Sequence, residues 1–199
     1  MQFPLNFTFK ISSIANDFRV HDAAGVEVAY VRQKVFKLKE EVQVFNNESR
    51  SQVNFTVKAT KWIDFSPTYL FFDAQGMQTG SVVRQGMKSI WRASYVICDE
   101  KGKADLSINE ENAVVKVFDG IFGELPLIGI LAGYFFNPTY LVTRTNGLPV
   151  VRLTKEKSFF GRRFKVDKLA EFSSTGEENR IMLGLMMMIL LDRQRGLVP

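Results

Sequence analysis

The chain has 199 residues, 46% of them hydrophobic and 24% charged, the balance of a water-soluble globule of one domain that buries enough surface to need no metal or disulfide staple. Its single cysteine, Cys98, excludes an internal disulfide, and its single histidine, His21, argues against a Cys/His zinc site and against His-rich catalysis. Lysine and arginine outnumber aspartate and glutamate by 26 to 21, a net charge of +5 with a pI near 9.3; this favours phosphate-rich surfaces but falls short of the dense basic stripe of a dedicated nucleic-acid binder.

Residues 1–11 lack the basic n-region and unbroken apolar run of a signal peptide, so the expected location is cytoplasmic. The Asn-x-Ser/Thr sites at Asn6, Asn47 and Asn54 are then chance matches. Phe3, Leu5, Phe7, Phe9 and Ile11 fall on one side of a period-2 pattern, which predicts a strand over 3–11.

A repeat follows, with an aromatic residue at its first position, a polar turn residue at its fifth and glycine at its eighth. The copies begin at Phe18, Tyr69, Tyr95 and Tyr140 and carry Asp22/Gly25, Asp73/Gly76, Asp99/Gly102 and Arg144/Gly147. A type I turn favours Asp at its first position, where the carboxylate accepts backbone N–H groups, and Gly at its fourth, where left-handed backbone rejoins the strands. Each copy therefore predicts a β-hairpin. Val42 to Ser49 reads as a degenerate fifth copy, with Asn46 in the turn slot and Ser49 in the glycine slot. With the strand-like runs between them, the hairpins predict about a dozen strands at sandwich or barrel spacing. The Asp-x-Asp/Asn pattern of a calcium loop is absent from these turns, and no cofactor is expected.

Basic and aromatic residues gather after the turns: Arg32, Lys34, Phe36, Lys37 and Lys39; then Arg84, Lys88, Trp91 and Arg92; then Arg152, Lys155, Lys157, Phe159, Phe160, Arg162, Arg163 and Lys165. Lys and Arg together suit phosphate, and a solvated outer strand face is the plainer reading. Residues 119–138 differ from the rest, because the apolar run from Leu127 to Phe136 has no strand alternation and is broken by glycine. Pro126 and Gly133 are placed to open and close a short helix. Two readings stay open for this segment: a cover tucked over one barrel mouth, or a membrane or partner contact through Leu127, Ile128, Ile130, Leu131, Phe135 and Phe136.

From Ile181 to Leu191 the chain is apolar on every face of a helix, so the helix must be buried. Eleven residues rise only about 16 Å against roughly 30 Å of bilayer hydrocarbon, which places the helix in a protein interior rather than in a membrane. Both Ser174/Glu177 and Thr175/Glu178 fit a capping box at its start, and the expected span is 176–195. The economical arrangement is a closed antiparallel barrel of about twelve strands around this helix.

Aromatic-x-apolar-x-Asp-x-x-Gly hairpins in series, each followed by basic residues, with a terminal all-apolar helix over residues 17 to 195, resemble the LURP-one-related family, which is grouped with tubby C-terminal domains and phospholipid scramblases. The resemblance implies a single domain with a barrel around a central helix, and ligand sites on the outer wall. In tubby domains that wall binds phosphoinositides, and scramblases associate with membranes. No tubby lipid-binding motif matches residue by residue, so no specific site carries over. The scramblase palmitoylated cysteine cluster and Pro-rich extension are also missing.

Adjacent acidic pairs at Glu40/Glu41 and Glu110/Glu111 would point to opposite faces of a strand, and no glycine-rich phosphate loop is present. No enzyme is expected. The leading expectation is a non-enzymatic module, peripheral at a membrane, that binds phosphoinositide-like acidic headgroups through outer basic residues, with Lys155, Lys157, Arg162, Arg163, Arg84, Lys88 and Arg92 as candidates. The competing expectation is a protein-interaction or self-association scaffold. Nucleic-acid binding ranks below both.

Overall fold

A computed structural model describes residues 1–10, 16–34, 41–60, 67–85, 94–111, 138–156 and 163–195. These form strands β1 (Leu5–Phe9), β2 (Phe18–His21), β3 (Glu27–Lys34), β4 (Glu41–Phe45), β5 (Val53–Ala59), β6 (Thr68–Asp73), β7 (Gln78–Arg84), β8 (Ser94–Cys98), β9 (Ala104–Glu110), β10 (Thr139–Arg144), β11 (Pro149–Glu156) and β12 (Arg163–Lys168), followed by helix α1 (Thr175–Arg195). Each strand pairs antiparallel with its neighbours in sequence, and β1 pairs with β12 through Leu5↔Val166 and Phe7↔Phe164 to close the barrel. Closure leaves the sheet without an edge.

The expected fold is the observed one. Alternate residues of the strands, such as Leu5 and Phe7 on β1, Ile97 on β8 and Leu153 on β11, are fully buried and join the helix residues Ile181 to Leu191 in one core. The expected strand 3–11 is shorter, Leu5–Phe9: Phe3 lies outside it with its ring 5.7 Å from that of Phe172, and Ile11 is outside the described residues. Of the two capping boxes, Ser174/Glu177 forms. The Glu177 N–H donates to Ser174 Oγ at 3.1 Å, and Glu177 Oε2 accepts from the Ser173 N–H at 2.6 Å, so the helix starts at Thr175.

The hairpin turns follow the expected chemistry. Asp22, Asp73 and Asp99 each accept two backbone N–H bonds at 2.8–3.0 Å, and the glycines at the fourth position take φ of 77°, 80° and 79°. The degenerate copy is shifted by one residue: Asn47 occupies the first position, and Arg50 rather than Ser49 holds the left-handed backbone, at φ 56°. The longer loop lets Glu48 fold back and accept from Lys10 and Arg19, contacts that a tight turn would not reach. Asp73→Ala and Asp99→Ala should each lower unfolding free energy by about 1 kcal/mol. Addition of calcium should leave both wild-type and variant melting temperatures unchanged in a thermal denaturation series.

Because strand direction alternates, the four tight turns (22–26, 74–77, 99–103 and 145–148) and the longer 46–52 loop lie at one mouth of the barrel, with the start of α1. β1, β3, β5, β7, β9 and β11 end at the opposite mouth, where α1 also ends.

The helix is held off-centre. At Gly80, φ 155°, an added Cβ would come within 2.5 Å of Arg180 Cδ and 2.6 Å of the Cys98 carbonyl, so the strand lets the Arg180 stem pass directly over it. A Cβ on Gly184 would lie 2.8 Å from Ile97 Cδ1. Both glycines draw α1 towards β7, β8 and β9. On the same side Arg180 pairs with Asp105, and Arg144 grips Glu177 with two bonds of 2.7 and 2.8 Å.

Candidate functional site at the polar mouth

At the mouth opposite the tight turns, the last inward residue of each odd-numbered strand stands across from the first inward residue of the next even-numbered one. The six register pairs are Phe9↔Phe18, Gln33↔Val42, Ala59↔Tyr69, Arg84↔Tyr95, Glu110↔Tyr140 and Lys155↔Phe164. The aromatic residues that open the sequence repeats, Phe18, Tyr69, Tyr95 and Tyr140, thus belong to this ring of lining residues, and these four are no more than 6% exposed. On the β1–β6 half the ring is apolar or neutral. On the β7–β12 half it carries Arg84, Glu110 and Lys155, and the end of the helix adds Asp192.

Burial dominates the electrostatics here. It pushes the Tyr95 phenol up to about 12 against the pull of Arg84, and raises that of Tyr140 with help from Asp192 and Glu110. Burial also raises the Asp192 carboxyl, with Glu110 adding and Lys155 opposing. Both phenols therefore keep their protons at neutral pH and are able to donate a hydrogen bond. Two cations facing two carboxyl groups make a ring that largely compensates its own charge.

This register alters the sequence-based picture of the headgroup site. Arg84 and Lys155 share the lining face with Tyr95 and Phe164 and so lie inside the mouth rather than on the outer wall, because strand parity fixes their face. Arg163 alternates with the lining Phe164 and is exposed at the rim. Nearby cations on the outer face are engaged: Arg152 with Glu111 at 2.8 Å and Lys165 with Asp167 at 2.8 Å. Glu110 and Glu111 part company as expected, one lining the mouth and the other meeting Arg152. Lys157, Arg162, Lys88 and Arg92 lie outside the described residues, as do Leu127, Ile128, Ile130, Leu131, Phe135 and Phe136.

Sequence reading missed Asp192, Tyr95, Tyr140 and Glu110 as a group. The signal was present in the repeat, whose first position is aromatic throughout, but only the register shows that these positions share one level of the barrel. No helix among the described residues is long and apolar enough to cross a membrane. No protein-family model matches the chain, and the searches of curated proteins and of solved structures return no match.

Proposed function

We propose that the chain is a non-enzymatic module that binds acidic, phosphoinositide-like headgroups at a membrane surface through the mouth opposite the tight turns, and that it is akin to the LURP-one-related and tubby-like barrels. The observation that carries this reading is the segregation of the connections. Residues 35–40, 61–66, 86–93, 112–137 and 157–162 join strands whose ends stand at this mouth, and their sequences contain Trp62, Trp91, Phe36, Phe65, Phe135, Phe136, Phe159 and Phe160 together with Lys37, Lys39, Lys61, Lys88, Arg92, Lys157 and Arg162. The five connections at the other mouth contain no aromatic residue. Aromatic rings with basic side chains at one end of a barrel suit an anionic interface, where each cation adds about 1 kcal/mol and apolar groups add a salt-resistant component. The exposed Arg163, together with Lys157 and Arg162 of the 157–162 connection that leads into it, then carries the headgroup contact, while Arg84 and Lys155 support the mouth from within.

Co-sedimentation with phosphatidylcholine vesicles, with and without a phosphoinositide, tests this. Arg162→Glu/Arg163→Glu should weaken binding to the phosphoinositide vesicles by about tenfold or more. Lys101→Glu/Lys103→Glu, an equal change in net charge at the opposite mouth, should leave it nearly unchanged, and Phe135→Ala/Phe136→Ala should remove the part that survives high salt. Equal losses from both charge reversals would reduce the effect to net charge alone, and negligible wild-type binding would favour an interaction scaffold.

A further inference from the structure

Drawing α1 towards β7–β9 leaves space on its other side. Between the helix and the β1–β5 wall lies a cavity of about 70 Å³, lined by Ala29, Val44 and Phe55 from the barrel and by Met182 and Met186 from the helix. It lies in the half of the barrel next to the tight turns, and the half-buried Asn54 and Asn179 are its polar residues. No Lys, Arg, His, Asp or Glu lines it. The cavity therefore has no charged side chain to neutralise an ion, and its wall is mainly apolar, with the N-terminal Met1 at its edge.

We infer that this cavity is a binding site for a small neutral amphiphile, a short aliphatic chain or ring bearing one hydroxyl or carbonyl group. At roughly 10–15 Å³ per water-sized group, the space takes about five to seven non-hydrogen atoms. The apolar part lies against Val44, Met182 and Met186, and the polar end meets the Asn54 and Asn179 amides, each of which offers both a donor and an acceptor. Two unbranched methionines on the wall allow the pocket to adjust to its guest. The site is independent of the membrane-facing mouth, since it lies in the opposite half of the barrel.

Methionine methyl resonances report on it directly. Titration with 1-butanol should shift Met182 and Met186 saturably and leave Met188, on the opposite face of the helix, unmoved. Cyclopentane should compete for the same space. Asn54→Ala and Asn179→Ala should weaken 1-butanol by about three- to tenfold while leaving cyclopentane nearly unchanged, as loss of a hydrogen bond requires. Ala29→Leu, which fills the cavity, should abolish binding of both; if that variant fails to fold, Val44→Leu serves the same purpose. Non-saturating shifts, equal shifts at Met188, or 1-butanol affinity indifferent to both asparagine substitutions would overturn the assignment.

Discussion

Met187→Lys should fail to accumulate as a folded protein. Met187 is 1% exposed at the middle of a helix whose residues Ile181 to Leu191 are all buried inside the barrel. A lysine there must either bring its charge into the core or give up its proton, and either outcome costs about 4 kcal/mol or more against a total stability of about 5–15. Met187→Leu, close in volume, should cost less than about 1.5 kcal/mol and serves as the control. Soluble yield and thermal melting distinguish them, and a Met187→Lys protein that melts like wild type would show that the helix does not fill the barrel.

Glu177→Gln should be the most damaging conservative change at the tight-turn mouth. The Arg144 fork holds the Glu177 carboxyl down to about 2, with the Ser173 N–H assisting against burial. A carboxyl depressed in the fold from its ordinary value of 4.5 stabilises the protein above that pH. The contribution, about 3 kcal/mol, is lost as pH falls from about 4.5 towards 2. Wild-type unfolding free energy should therefore decline across that range more steeply than that of Glu177→Gln, and the gap of about 2–3 kcal/mol at pH 7 should fall to roughly half by pH 3 and close near pH 2. Denaturant titrations at pH 7, 4 and 3 measure it. A constant gap at all three values would place the loss in packing rather than in the carboxylate.

The turns were legible in the sequence because their chemistry is local: Asp73 bonds atoms two and four residues away, and Gly76 supplies its own backbone freedom. The helix was legible because eleven apolar residues in a row admit few alternatives. Where a residue answers to a distant partner, the pattern misled or fell silent. Arg144 replaces the turn aspartate because its fork reaches Glu177, 33 positions on. Asn46 and Ser49 looked like turn residues until Glu48 stretched the loop towards β1 and β2. Arg84 and Lys155 read as outer cations, since nothing in a run of basic residues reveals strand parity until the register is known. The off-centre helix and its cavity depend on how closely Gly80 and Gly184 let their neighbours approach, which sequence spacing does not encode.

The way the barrel closes also sets the order in which the chain can complete itself. Every strand pairing but one joins consecutive strands, and such hairpins form locally and early. The exception, β1 with β12, must wait until some 160 residues of chain intervene, and the segment that fills the interior comes later still. Until α1 emerges, a growing sheet presents two raw edges and a hollow apolar concave face, the features that invite association with other chains. β12 closes the barrel on β1 and α1 then fills it, so the early strands are protected only late in synthesis and truncation before α1 threatens solubility as well as stability.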